Sequence, residues 1–465
     1  MRPIRYLYIF YALIGVISVL AFLEYPGQGL IYVLFTIISN ALLYFGFRKN
    51  AIFFDTFIGI FFWLGFWLKL TFRVAFLDGQ FHDPVGNFDG SGAAFDRALL
   101  VASCGLFGLL VASIIRERYM FTYPEKITEV AHAGLFKFYQ DHRKAVLSGF
   151  AVLFATVAVS NFYFGIYQRG SIPRTVLPYG LGGVYSWLLL FGLASFSALI
   201  LNFEFTLNKK TSYSVVILSL MEGFLSNVSL LSRGMILNTS ALAYGVIRSL
   251  KLNAIRISFH FWAIPCLLFI ILFASSVLLV DRMRASGSNE LDLNVNIVAV
   301  SRGTNILFLD RLVGIEGVMA VSSYQKQGWD LWSDAWKETY SKKMSFYDAN
   351  LIVSPYRDTD MTKHHHICLP GIIAFCFYPG SFVFLFACMF TLGVMAAAIE
   401  ISVFKLGGKN IILCALLAQV VASRYVHFGY VPSQSYLLFG SLYLNLCIFY
   451  FLNKLLLYWN NDKRR

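Results

Sequence analysis

The chain has 465 residues, of which 58% are hydrophobic, 17% aromatic and only 14% charged, with a mean hydropathy of +0.66. Soluble domains carry about a quarter charged residues, so a water-soluble globular protein is excluded and a membrane protein is indicated. The formal net charge of +13 comes from basic residues dealt in small groups between apolar blocks, which is the pattern that orients spans rather than one that binds nucleic acid.

A span needs about 20 mostly apolar residues. About twelve such blocks follow one another: 4–23, 28–47, 53–72, 98–115, 146–165, 181–203, 212–231, 234–250, 257–280, 381–403, 410–430 and 435–453. The first follows Arg2 and Arg5 without a small-residue cleavage site, so it reads as a retained helix rather than a leader. Arg48 and Lys49, Arg116 and Arg118, Lys209 and Lys210, Arg248 and Lys251, Lys405 and Lys409, and Lys454 with the C-terminal Lys463, Arg464 and Arg465 fall on the same side as Arg2 and Arg5. By the positive-inside rule that side is the cytoplasm. Both termini are then cytoplasmic, and the long segment Asp281–Pro370 lies outside, which in a bacterium means the periplasm. The resulting division is 1–280 (nine spans with short loops), 281–380 (the large loop) and 381–465 (three spans and a tail).

Residues 119–144 read as a basic amphipathic connector, a helix lying on anionic lipid. Residues 371–380 are apolar but too short to cross, and read as an interfacial or re-entrant helix. Glu222 and Glu400 are acids within apolar blocks and are expected to pair with polar neighbours in the bundle. Six of the seven cysteines lie in or beside apolar blocks, and Cys368 ends the large loop, so no disulfide framework is apparent.

Arginines on the outer side break the charge rule and ask for a reason. Arg233 stands in Leu-Ser-Arg-Gly between two spans with almost no loop, and Arg424 lies near the outer end of block 410–430. Arginine presents a planar fork that suits phosphate, so Arg233, Arg282, Arg284, Arg302, Arg311 and Arg424 are candidate phosphate-binding residues; snorkelling to headgroups is the plain alternative. Phe308–Met319 reads as a helix with apolar positions on one broad face, and Gly314 and Gly317, at i and i+3, would let something approach closely. The run His364-His365-His366 cannot turn three adjacent rings onto one ion, so it reads as a source of a general base rather than a metal site. Glu316 is the other candidate base. Trp329, Trp332, Trp336 and Tyr340 offer aromatic faces for sugar rings or for packing.

This layout, with Ser232-Arg233-Gly234 at an outer helix junction, Arg302 in the loop and histidines before Leu369-Pro370-Gly371, resembles the bacterial O-antigen polymerase family. Some members have ten residues between a loop arginine and a glycine; counted from Arg302 the position after those ten is Val313, and the glycine is Gly314, one later. The resemblance implies an all-α, GT-C-like polytopic membrane protein of about twelve spans with one large periplasmic loop, in the bacterial inner membrane. It implies a glycan on undecaprenyl pyrophosphate as donor, a lipid-linked repeat unit as acceptor, membrane lipids and a chain-length regulator protein as partners, and no cofactor or metal. The arginines would stabilise the leaving pyrophosphate, and one of His364–His366 or Glu316 would take the acceptor proton. An O-antigen ligase shares these features, and a flippase for lipid-linked sugars or an acyltransferase using His260 or His427 would fit a membrane bundle differently.

Overall fold

A computed structural model describes the chain except for residues 1, 82, 127–131, 209–212, 233, 253–258, 286–312, 341–343, 356, 358–366 and 463–465; side chains are also left aside at 2–10, 208, 259–261, 285 and 460–462. The described residues form helices and no strand. Each of the twelve apolar blocks falls on a long helix: α1 (Arg2–Glu24), α2 (Gly29–Gly46), α3 (Phe53–Phe76), α4 (Gly92–Tyr119), α6 (Arg143–Phe164), α7 (Pro178–Leu207), α8 (Tyr213–Ser229), α9 (Met235–Leu252), α10 (Phe259–Ala285), α15 (Phe382–Leu406), α16 (Ile411–Val426) and α17 (Ser435–Asp462). Among the described residues eight helices are long and apolar enough to cross a membrane, so the protein is a helical membrane protein; α8, α16 and Tyr11–Glu24 of α1 are shorter apolar helices. Backbone hydrogen bonds closed within a helix are what hydrocarbon demands.

The short elements differ more from expectation. In the connector 119–144, helix α5 (Ala133–Asp141) docks on protein rather than only on lipid: the backbone N–H groups of Gly134 and Leu135 donate to Asn453 Oδ1, and the Tyr139 hydroxyl donates to Glu204. Gly134 permits this approach, because a side chain there would strike the Asn453 carbonyl.

Between α10 and α15, the large insert contributes α11 (Ile315–Ser322), α12 (Trp329–Trp336), α13 (Phe346–Asn350) and α14 (Ile372–Cys376). Helix α11 begins at Ile315, after the non-helical Gly314; residues 308–312 of the Phe308–Met319 reading lie outside the described residues. Every residue of α11 and of α14 is buried. These helices are not an outer cap. They pack on each other and against α4, in its middle, where Gly105 abuts Ile373. A helix apolar all round belongs in a core, and α14, within segment 371–380, is buried in one.

The end of the bundle opposite the insert is built from closed charge pairs. Arg116 contacts Asp55 at 2.6 Å, and the Ser113 hydroxyl donates to the same carboxylate. Arg48 pairs with Glu117, and Arg248 donates to the Ala51 carbonyl. Glu400 accepts the backbone N–H groups of Phe53 and Phe54 at 2.8 Å each and the Tyr123 hydroxyl. It thereby satisfies orphan donors at the start of α3. Glu222 accepts from Ser226, four residues on.

Candidate functional site

Two constructions stand at the insert end. The first is a buried acid pair. Helix α3 widens into a π-helical turn over Trp63–Leu68, a feature that often marks functional sites, and the next residue is Lys69, 0% exposed. Its ammonium forms an ion pair with Glu316 of α11, itself 4% exposed, and lies 3.8 Å from Asp83, whose side chain is half exposed. Glycines make this approach possible: a Cβ on Gly314 would collide with the Gly65 carbonyl inside the π turn, and one on Gly317 with the Pro370 carbonyl. What Gly314 and Gly317 admit is therefore the chain's own backbone. Burial pushes the Glu316 carboxyl above the usual carboxylate range, Lys69 opposes this and Asp83 adds to it.

Behind the pair, α13 and the segment leading into α14 are tied together. Asp348 accepts the Cys368 N–H and the Ser345 hydroxyl, and Gly371 N–H donates to the Phe428 carbonyl. Burial raises the Tyr347 hydroxyl and the Cys368 thiol, with Asp348 adding to both, so both groups stay protonated at neutral pH.

The second construction is an arginine corner at the junction of α8 and α9. Asn161 of α6 grips the junction: its Nδ2 donates to the Ser229 carbonyl, the Ser229 hydroxyl and the Tyr167 carbonyl, and its Oδ1 accepts the Tyr167 N–H. Arg284 of α10 donates to the Leu231 carbonyl at 2.7 and 3.1 Å and to the Arg169 carbonyl at 3.2 Å. Leu231 sits at a φ of 50°, and these carbonyl contacts hold that turn. Arg169 reaches the Ser232 hydroxyl at 3.5 Å, and the same hydroxyl accepts the Gly234 N–H. On α16, Arg424 donates to the Ser435 hydroxyl, lies over the Phe428 ring and has the Tyr167 hydroxyl as an electrostatic neighbour.

Of the residues nominated from sequence, Glu316 is in the buried pair, and Arg284 and Arg424 adjoin the corner. Arg282 is half-buried near the end of α10, two residues before Arg284. Arg233, Arg302, Arg311, His364, His365 and His366 lie outside the described residues. Sequence reasoning missed Lys69 as a site residue, although a lysine inside an apolar block is costly enough to demand a partner. It also passed over Arg169, Asn161 and Asp83, whose roles depend on neighbours distant in sequence. Comparison with family models, with curated proteins and with solved structures finds no match to this chain.

Proposed function

We propose that this chain is a metal-independent membrane glycosyltransferase of the O-antigen polymerase type, which extends lipid-linked polysaccharide at the periplasmic face of a bacterial inner membrane. In this reading the twelve long helices all cross, both termini are cytoplasmic and the insert is periplasmic. The observation that carries it is the arginine corner: Arg169 donates to the Ser232 hydroxyl and Arg424 to the Ser435 hydroxyl. Neutral acceptors orient a guanidinium without cancelling its charge, which leaves a cationic field for a diphosphate. In the sequence Arg233 stands between Ser232 and Gly234.

The acceptor hydroxyl attacks the anomeric carbon, the bond from that carbon to the pyrophosphate oxygen breaks, and the arginines stabilise the charge gathering on the leaving group. The proton passes to a base, either one of His364–His366 or Glu316, whose raised proton affinity suits the task. The lipid tail of the donor stays in the bilayer, which explains why a sugar polymerase is built on apolar helices.

Arg169, Arg233 and Arg424 are each replaced by Gln in a strain lacking the gene, with protein level checked and polysaccharide length read on a gel. The expected result is a ladder collapsed to single-repeat caps with normal protein level and a roughly 10²-fold loss of polymer, the scale of one lost oxyanion donor. An intact ladder for all three sinks the site. Loss of the single-repeat caps as well would indicate ligase or flippase action instead.

A further inference from the structure

Helix α12 has three faces. Ala335 is buried and the helix packs beside Pro432–Gln434. Trp329, Trp332 and Trp336 recur at i, i+3 and i+7 as one stripe, and Asp330 and Asp334 form a second stripe on the far side. The aromatic stripe is only partly used inside the protein. Trp329 meets the Phe384 ring at 4.8 Å, Trp332 meets it at 5.6 Å and stacks on Trp336 at 5.5 Å. Trp329 remains 58% exposed and Trp336 43%.

Phe384 belongs to the first turn of α15, where the adjacent Val383 is 80% and Phe382 42% exposed. That surface belongs to a helix long and apolar enough to cross a membrane, so its exposed apolar residues face lipid, and the tryptophan stripe continues the same surface past the helix end. Other exposed aromatics stand at the ends of long helices on this side: Tyr163 on α6, Tyr179 on α7 and Tyr436 on α17. Tyrosine and tryptophan gather at the headgroup level because one end of each ring system is apolar and the other polar. The start of α12 is fixed at this height: Gln327 accepts from Arg97 at 2.8 Å, and the Gly328 N–H donates to the Tyr378 carbonyl.

We infer that α12 is an interfacial helix that seats Trp329 and Trp336 in the lipid headgroup layer, with Asp330 and Asp334 turned to water, so that the insert is held to the bilayer surface. This does not depend on the glycosyltransferase reading.

The test compares the full-length protein and the variant W329F/W336F, in which phenylalanine keeps the ring contacts, after reconstitution into phosphatidylcholine vesicles. The difference in tryptophan emission between the two isolates the exposed rings. With lipids brominated near the top of the acyl chain, most of that difference is expected to be lost, while aqueous iodide leaves it nearly unchanged. Quenching by iodide with none by the brominated lipid would overturn the inference and place the rings in water. If added oligosaccharide then shielded them from iodide, the stripe would be a glycan platform instead. Should the double variant fail to fold, W329F alone gives the same reading for one ring.

Discussion

The two ends of the bundle treat charge in opposite ways. Opposite the insert, cations meet carboxylates inside the protein: Arg116 with Asp55, Arg48 with Glu117, Arg143 with Glu204. Glu400 is spent on backbone donors. At the insert end, Arg169 and Arg424 are oriented by hydroxyls. Closed pairs hold helices in register and leave no cationic charge for an anion. Guanidinium groups steered by neutral oxygens keep their charge, and that is the condition a site for an anion needs. Lys69 and Glu316 form a closed pair at the insert end, one that fastens α11 to α3.

The sharpest way to break this comparison is to open a pair at the far end. Asp55→Ala leaves Arg116, 1% exposed, without its carboxylate. Removing one partner of a buried pair costs about 3–5 kcal/mol, so the melting temperature of the detergent-solubilised protein should drop steeply. Polymer made per folded molecule should stay near normal. The arginine substitutions at the insert end are expected to do the reverse. If D55A instead lowered activity at unchanged melting temperature, the division between the two ends would be wrong.

The long helices were legible because span length and hydrophobicity are local properties, and all twelve apolar blocks lie on helices. The π turns at Trp63–Leu68 and Leu188–Gly192 leave no mark in composition. The destination of α11 was also hidden. Its glycines announced a close approach, yet only the fold shows that Gly65 and Pro370 are what approach. Lys69 was readable in principle: a lysine within block 53–72 is as anomalous as Glu400 within 381–403. Its partner Glu316 lies far along the chain, and periodicity cannot pair residues across such a gap. Arg284 carried the right residue type for phosphate, but its hydrogen bonds to the Leu231 and Arg169 carbonyls depend on the α8–α9 turn, whose shape no motif encodes.

The glycine contacts give a smaller and sign-specific test of how the insert is seated. In an ordinary helix, Gly→Ala is favourable by roughly 0.5–1 kcal/mol. At Gly149 of α6 nothing lies near an added Cβ, so Gly149→Ala should raise the melting temperature slightly. At Gly317 the Cβ would strike the Pro370 carbonyl, and overpacking of this kind costs about 1–3 kcal/mol. The steric term exceeds the propensity gain, so Gly317→Ala should be destabilising. Two shifts of the same sign would mean that α11 is not pressed against the 370 segment.

The smallest effect concerns Glu338, which joins the insert to the α16–α17 turn by accepting the Phe346 N–H at 2.6 Å and the Val431 N–H at 2.9 Å. Burial raises its carboxyl above the usual range, the two N–H donors pull it down, and Asp348 pushes it up. A carboxyl raised by folding contributes stability that is fully present below its unfolded value, about 4.3, and lost as pH rises through the folded value. Glu338→Gln removes that titration while keeping one oxygen for one of the two donors. The variant should start less stable at low pH, by about one hydrogen bond or roughly 1 kcal/mol, and then lose less than the wild type as the pH is raised from about 4 to 7. The two melting curves should therefore converge toward neutrality. Parallel curves would mean that Glu338 does not change its proton affinity on folding, and that the donors from Phe346 and Val431 fully offset its burial.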